Sequence, residues 1–96
     1  MTSTPPLSAA LQVLRIHADD NVCVALQSLS AGTEVSCGDL RVLVREDIRL
    51  GAKLALRPLR KGDLVLKYGE PIGTLTEDVP RGGHIHSHNL RSNYIS

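Results

Sequence analysis

Leu29-Ser30-Ala31-Gly32-Thr33-Glu34-Val35 is a turn that ends in glycine and is followed by a short alternating run. The same arrangement returns further along the chain as Leu59-Arg60-Lys61-Gly62-Asp63-Leu64-Val65, and looser versions occur at 48–51 and 79–82. Glycine can adopt the positive φ that tight reversals between strands need. Repeated turns of this kind, with no helices alternating between them, predict a small antiparallel or mixed β structure.

The segments between these turns predict short strands and one helix. Alternating or β-branched residues predict strands at 11–16, 40–44, 53–56, 65–68, 72–76 and 84–88. A short helix is predicted at about 20–28, because Asp20 or Asn21 before an apolar run can accept hydrogen bonds from the N–H groups that open a helix. The chain is therefore expected to form one mostly β domain at 10–92, with a flexible leader at 1–9 and a short tail at 93–96.

The composition argues against several classes of function. The chain has 96 residues, enough for a single domain, and 42% of them are hydrophobic. Phe and Trp are absent and Tyr occurs twice, so the core is expected to be aliphatic, with little aromatic surface for stacking on a nucleobase. The 11 basic and 10 acidic residues are interspersed, so a nucleic-acid partner is not expected.

The cysteines and the N-terminal segment indicate where the protein works. Cys23 and Cys37 form no CxxC or zinc pattern, and Cys23, inside an apolar run, is expected to be a buried thiol rather than part of a disulfide. The first residues lack the basic start and apolar stretch of a signal peptide, and no segment is long enough to span a bilayer. We therefore expect a cytoplasmic protein with no membrane partner.

Gly82-Gly83-His84-Ile85-His86-Ser87-His88-Asn89 is the strongest candidate for a functional site. Side chains alternate in a strand, so His84, His86 and His88 would project to one side. Alternate residues lie roughly 6.6 Å apart, so neighbouring imidazoles could share a metal ion. The outer pair, about 13 Å apart, could do so only if the strand bends. Imidazole also titrates near neutral pH, which suits general acid–base catalysis.

Three interpretations of these histidines stay open at the level of sequence. A metal site within this chain alone would need further ligands, for which His17 is the candidate. A site shared with another chain would bind substrate or metal jointly. A surface strand with solvated imidazoles would need no function at all.

Two further segments carry polar residues with alternative roles. Gly69-Glu70-Pro71 predicts a hairpin turn, and Lys67 before it either belongs to the architecture or binds a substrate carboxylate. Asp20 and Asn21 either cap the predicted helix or, with its free N–H groups, form an anion-binding site. No nucleophile triad, phosphate loop or dinucleotide motif accompanies them, so a self-contained enzyme is not predicted.

Three motifs follow one another in a fixed order: His17-Ala18-Asp19-Asp20-Asn21-Val22, Lys67-Tyr68-Gly69-Glu70-Pro71-Ile72-Gly73 and His84-Ile85-His86-Ser87-His88-Asn89. This series resembles the small N-terminal domain, or separate small subunit, of the altronate and galactarate dehydratases. The likeness extends over about residues 11–90, and the small subunits of sulfolactate sulfo-lyases are similar too. The resemblance implies an SAF-type domain with a β-clip fold, related to type III antifreeze proteins.

The resemblance also implies a function. It points to the small subunit of a hydro-lyase that removes water from a hexonate or related sugar acid to give a 2-keto-3-deoxy acid. A divalent metal such as iron, manganese or magnesium would be held mainly by a large dehydratase subunit, the expected partner. The histidines are implied as catalytic residues facing that partner, with two of them as shared metal ligands: His84, His86 and His88, of which His86 and His88 would touch the metal. Polar residues of the three motifs are expected to bind the sugar acid: Asp20, Asn21, Lys67 and Asn89.

The chain departs from the family pattern at one position. Where Gly-His-Lys-x-Ala is expected it has Gly51-Ala52-Lys53-Leu54-Ala55, so an imidazole is missing at Ala52. This departure implies either a different acid or an imidazole that the reaction does not need. The rival function is a non-catalytic SAF-type module that binds carbohydrate or metal or assists assembly, and formation of a homo-oligomer stays open for both.

Overall fold

The computed structural model describes residues 11–92, and every regular element in that part of the chain is a β-strand. The mostly β fold predicted from the sequence is thereby confirmed, whereas the leader at 1–9 and the tail at 93–96 lie outside the described residues. A helix of the length and apolarity needed to cross a membrane does not occur between residues 11 and 92. The strands are β1 Val13–Leu14, β2 Val22–Ala25, β3 Glu34–Cys37, β4 Leu40–Leu43, β5 Lys53–Ala55, β6 Leu64–Lys67, β7 Glu70–Leu75, β8 His84–Ile85 and β9 Leu90–Ser92.

The described strands form three antiparallel sheets. A four-stranded sheet has the order β1-β2-β5-β8, so its neighbours come from distant parts of the chain. The hairpin β3-β4 forms a second sheet, and β6-β7-β9 forms a third. In this arrangement β5 lies between β2 and β8, and β8 is an edge strand that begins at His84.

The helix predicted at about 20–28 is wrong, because residues 22–25 form β2. Val22 pairs with Ala55 and Val24 pairs with Lys53. Strand β2 packs against other elements on both faces, so its sequence is a continuous apolar run. Such a run has no alternation that would distinguish it from a buried helix, and the β-branched valines were the better guide.

The glycine turns that recur in the sequence form a structural repeat in the fold. Leu29 and Ile48 exchange backbone N–H···O bonds of 2.7 and 2.8 Å, and Leu59 and Val79 exchange bonds of 2.8 and 2.9 Å. The four turns that follow these bridge residues each contain a glycine at positive φ: Gly32 at 91°, Gly51 at 88°, Gly62 at 92° and Gly82 at 83°. The two halves of the domain are therefore built around equivalent bridges.

The hairpin between β6 and β7 is tighter than the sequence suggests. A turn was predicted at 69–71, but the two residues between the strands are Tyr68 and Gly69, with φ of 62° and 72°. Two successive positive φ values are the pattern of a type I′ turn, whose twist matches that of the flanking strands. β7 consequently begins at Glu70 rather than at Ile72.

The core consists of two aliphatic clusters, as the lack of aromatic residues requires. The first lies on β2, β5 and the hairpin β3-β4: Val13, Cys23, Ala25, Leu29, Val35, Cys37, Val42, Val44, Ile48, Ala52, Leu54 and Leu56. The second lies under β6 and β7: Val22, Ala55, Leu59, Val65, Leu75, Val79 and Ile85. Both cysteines are buried free thiols, as predicted for Cys23, and burial together with the neighbouring Cys37 raises the pKa of Cys23. A thiol in this setting is a packing residue rather than a nucleophile.

Candidate functional site

The three histidines of the last motif lie together, although not for the reason predicted. β8 ends at Ile85, so the strand predicted at 84–88 is wrong beyond that residue. Because the chain turns at 86–89, the ring centroids of His84 and His88 are 5.0 Å apart. The rings of His84 and His86 are stacked at 6.0 Å. A straight strand would separate the outer pair by about 13 Å, so the turn is what assembles the cluster.

Asn89 holds the turn that gathers the imidazoles. Its side chain is 2% exposed, and its Oδ1 accepts a hydrogen bond of 3.0 Å from the backbone N–H of His86. Its Nδ2 donates a 2.8 Å bond to the carbonyl oxygen of His84. The backbone N–H of Asn89 also donates to the carbonyl of His86 at 3.1 Å. All these bonds lie within the loop, so Asn89 fixes the spacing of the histidines.

His84 has the most distinctive environment of the three. Its backbone N–H donates to Oε2 of Glu46 at 3.1 Å, and its ring is half-buried. Burial is the main cause that lowers the pKa of the His84 imidazole, and nearby His88 lowers it further. A lowered pKa keeps the ring neutral near pH 7, with one nitrogen free to accept a proton. Its Nε2 is buried and has no hydrogen-bond partner within residues 11–92.

The donor types suit a transition metal, but their arrangement does not form a closed metal site. Between residues 11 and 92, no group of three or more His, Cys, Asp or Glu side chains is placed to hold a metal ion. The rings of His84 and His86 are only 14° from parallel, so their in-plane lone pairs do not converge on one point. Imidazole nitrogens also suit iron better than manganese or magnesium, both of which prefer oxygen ligands. The binding of a metal by His86 and His88 with a partner chain stays a prediction.

An open pocket of about 430 Å³ lies beside His84. Its walls come from the bridge between Leu29 and Ile48 and from the residues on either side of it: Ser28, Leu29, Ser30, Asp47, Ile48, Arg49 and His84. No motif in the sequence pointed to Ser28, Ser30 or Arg49. Ser28 and Ser30 flank Leu29, whereas Arg49 follows Ile48, so the residues are distant in sequence. The only sequence signal that relates the two segments is the glycine turn that follows each of them.

A larger groove, of about 730 Å³, lies elsewhere on the molecule. It is formed by the segment 11–18 and by the turn between β3 and β4, and it contains His17 but none of the three clustered histidines. His17 packs against Gly69, and its Nδ1 accepts a 3.0 Å bond from the backbone N–H of Asp19. It follows β1, which is at the opposite edge of the four-stranded sheet from β8. The structure therefore does not add His17 to the cluster.

Asp20 and Asn21 are buried and bond to the backbone of β6 and of the following turn. The carboxylate of Asp20 accepts bonds from the N–H groups of Tyr68 at 3.2 Å and Gly69 at 2.8 Å. The amide of Asn21 donates to the carbonyl of Leu64 and accepts from the N–H of Leu66, both at 2.9 Å. The strand ladder between β6 and β7 is irregular at this point, and the Asn21 amide satisfies groups that the ladder leaves. Their predicted contact with substrate stays a prediction.

Lys67 ends β6 and therefore belongs to a different sheet from β8, the strand that begins at His84. Its Nζ lies 5.0 Å from the ring centroid of Tyr68, a cation–π contact. Its positive charge acts on Lys53, whose pKa is lowered first by burial and then by Lys67. Lys53 pairs with Ile85, whereas His84 pairs with Leu54, so the Lys53 and His84 side chains leave opposite faces of the sheet.

The chain is similar in sequence to one known protein family and to several characterised enzymes. Residues 11–93 match the family model described as the altronate/galactarate dehydratase SAF domain. The chain is 48% identical over 83 residues to the altronate dehydratase of Escherichia coli and 38% identical over 80 residues to that of Bacillus subtilis. These matches cover 86% and 83% of this chain but only 17% and 16% of the two relatives. A subunit alpha of (2R)-sulfolactate sulfo-lyase from Paracoccus pantotrophus is 44% identical over 54 residues, which are 56% of this chain and 81% of that protein.

Proposed function

Because the chain belongs to the altronate/galactarate dehydratase SAF domain family, we propose that it is the small module of a sugar-acid hydro-lyase. In this proposal it supplies one histidine-bearing wall of an active site shared with a large dehydratase chain. The relatives that it matches are dehydratases and lyases, and it spans about a sixth of the length of the altronate dehydratases. The observation that carries the proposal is the cluster of three imidazoles beside the edge strand β8. Burial lowers the pKa of one of them, His84, which favours its neutral form.

The chemistry assigned to the cluster is proton transfer. Loss of water from a 2,3-dihydroxy acid needs a base to remove the proton from the carbon next to the carboxylate. It also needs an acid to protonate the hydroxyl that leaves from the adjacent carbon. In our proposal the neutral ring of His84 accepts the first proton. A neighbouring ring, that of His86 or His88, donates the second. The enol that results becomes the 2-keto-3-deoxy acid, so atoms and charges balance.

The remaining parts of the proposal concern groups that this chain does not supply. A divalent metal, if the large chain holds one, would stabilise the negative charge that develops next to the carboxylate. Since the histidines of this chain do not form a closed metal site, no step of the proton transfer is assigned to it. We also propose that the fold is a β-clip, which the two equivalent bridges support, and that the protein works in the cytoplasm.

A complementation experiment tests the proposed function. The chain is added to a form of the Escherichia coli altronate dehydratase that lacks the matching segment, and release of 2-keto-3-deoxy acid from altronate and galactarate is measured. The expected result is activity well above that of the truncated enzyme alone. His86→Ala should lower kcat by about 100-fold or more, the usual range for loss of a general acid or base. Ser87→Ala, an exposed neighbour in the same loop, is the matched control and should keep full activity.

Two outcomes would contradict the proposal. If the chain binds the truncated enzyme and activity does not rise, the module has no catalytic part. If His86→Ala, His84→Gln and His88→Ala all keep kcat unchanged, the cluster does not transfer protons. Tight binding of a sugar acid or a metal by the chain alone, without any gain in activity, would instead support the non-catalytic binding module.

A further inference from the structure

We propose that the pocket beside His84 is a subsite for the carboxylate end of a polyhydroxy acid, in which Arg49 binds the carboxylate and Ser28 and Ser30 bind hydroxyl groups. This inference rests on the proposed function, because it names the part of the substrate that lies against this chain. It uses the pocket of about 430 Å³ that the turns around the Leu29–Ile48 bridge form with His84. A volume of that order is typical of pockets for small organic ligands.

The internal repeat of the domain shows which polar residues around a bridge are required by the fold, because the two bridges can be compared position by position. The Leu59–Val79 bridge has the same reciprocal hydrogen bonds as the Leu29–Ile48 bridge. An aspartate precedes the second residue of each bridge and accepts a bond from a turn N–H. Asp47 accepts from Ala31 at 3.0 Å, and Asp78 accepts from Lys61 at 2.8 Å. The aspartates are therefore part of the architecture in both halves.

The other polar residues of the pocket have no such counterpart. The positions that flank the bridge residues in the first half are Ser28, Ser30 and Arg49, and the equivalent positions in the second half are Pro58, Arg60 and Pro80. The same bridge thus forms with proline in place of Ser28 and Arg49. Since the fold does not require a hydroxyl or a guanidinium at these positions, their presence together around one pocket indicates binding.

Arg49 is free to bind an anion. Its side chain is exposed, and it forms no ion pair with an acidic side chain in the part of the chain that the structure describes. It lines the same pocket as His84, and its positive charge is one of the smaller causes that lower the pKa of that imidazole. A guanidinium can donate two parallel hydrogen bonds to one carboxylate, which fixes the position of the carboxylate. A carboxylate bound at Arg49 would lie in the pocket that His84 also lines.

Asp47 restricts the class of ligand. Its carboxylate also lines the pocket, so the lining has one positive and one negative side chain besides His84. A compact anion such as sulfate would be attracted by Arg49 but repelled by Asp47. A polyhydroxy acid combines a carboxylate for Arg49 with hydroxyl groups that can donate to Asp47 and bond with the two serines. The charges of the pocket therefore favour a hydroxylated acid over an inorganic anion.

The test is a titration of the 96-residue chain, labelled with ¹⁵N, followed by NMR. Sodium altronate and sodium galactarate are the probes, and sodium sulfate at equal ionic strength is the comparison. The amides of residues 28–30, 47–49 and 84 should shift and saturate with the sugar acids and not with sulfate. Arg49→Gln should weaken binding by about tenfold or more, because a charge-assisted contact is lost. Arg60→Gln, at the equivalent bridge in the other half, should bind as the unmodified chain does.

Each possible result of the titration either supports or overturns the subsite. The subsite is overturned if no saturable shift appears, if the shifts map to another surface, if sulfate binds as well as the acids, or if Arg49→Gln keeps full affinity. The proposed function is judged separately by complementation. Loss of binding in Arg49→Gln with no activity in any complemented enzyme would support the subsite and overturn the hydro-lyase. Activity that depends on His86 but is insensitive to Arg49 in both KM and kcat would support the hydro-lyase and overturn the subsite.

Discussion

Asp20, Asn21 and Asn89 are polar side chains that the fold buries almost completely, with exposed fractions of 1%, 5% and 2%. Each of them bonds to backbone groups that the strand ladders leave without partners. The sequence could predict that these positions have a special role, because Asp and Asn favour such local contacts. It could not predict the partners of Asp20 and Asn21, which lie on β6 and in the turn after it, far along the chain.

Substitution of Asn89 tests whether its side chain stabilises the histidine loop. Asn89→Ala should lower the free energy of unfolding by about 1–3 kcal/mol, because it leaves partly buried backbone groups of His84 and His86 without their side-chain partner. The same change should increase the separation of the imidazoles. Urea unfolding measures the first effect, and contacts between the histidine rings in NMR measure the second.

Ser87→Ala in the same loop is the control and should change stability by less than about 0.5 kcal/mol. If Asn89→Ala keeps both the stability and the ring contacts, then the Asn89 side chain does not position the histidines. An unchanged cluster in a destabilised domain would show that the loop backbone alone sets the spacing.

Ala52 shows how packing bears on the departure from the family pattern. Its methyl group is fully buried in the first core cluster. An imidazole in its place would have to displace well-packed neighbours, which is costly in a core of native density. In this chain, therefore, the residue at 52 fills the core, and the histidines that are available for chemistry lie at the start of β8 and in the loop after it.

At the scale of elements, the turns were more predictable than the strands between them. The glycine turns stood out because positive φ selects one residue type, and all four are present. Strand β2 was predicted as a helix because its apolar run has no alternation, and β3 and β9 were not predicted as strands. The imidazoles were expected on one straight strand, whereas a side-chain amide bends the chain after Ile85. Long-range burial and loop closure decided these elements, and neither is visible in local sequence.

Gly82 is the turn residue whose substitution should matter most. A Cβ at Gly82 would overlap the carbonyl oxygen of Leu43, and its φ is +83°. Gly62 has a φ of +92° but nothing near a Cβ. Gly62→Ala should therefore cost about 1–2 kcal/mol from backbone strain alone. Gly82→Ala should cost about 2–5 kcal/mol, because the steric overlap adds to that strain.

Urea unfolding of the two variants side by side checks this prediction. The pair is matched, since both residues lie three positions after a residue of the same bridge, have similar φ values and differ in what surrounds them. Equal losses of stability would mean that the segment before His84 is not packed against the end of β4 as described.

At the scale of the whole molecule, the His84 environment predicts how stability depends on pH. The pKa of His84 is lowered by burial and by the other histidines, so the unfolded chain binds a proton at a higher pH than the folded one. As pH falls below about 6.5, the ordinary value for histidine, the free energy of unfolding should decrease. The decrease from this group should end once pH is below the lowered pKa of the folded state.

Thermal or urea unfolding at intervals from pH 8 to pH 4 measures this dependence. His84→Gln should flatten the curve between neutral pH and the acid side of the histidine range, while His17→Gln serves as the comparison at an exposed histidine. A curve for His84→Gln that matches that of the unmodified protein would contradict the buried, neutral state of the ring.

The strand order of the four-stranded sheet also affects the order in which the domain folds. β2 finds its partner in β5, and β5 finds its other partner in β8, so each pairing waits for a segment synthesised much later. Chains dominated by such distant pairings assemble slowly and in one concerted step. On the ribosome, β1, β2 and β5 can pair first, but β5 must stay without its second partner until β8 has emerged. The histidine loop would then be completed in the final stage of assembly, and a nascent chain stopped before β8 would present the open edge of β5 to its surroundings.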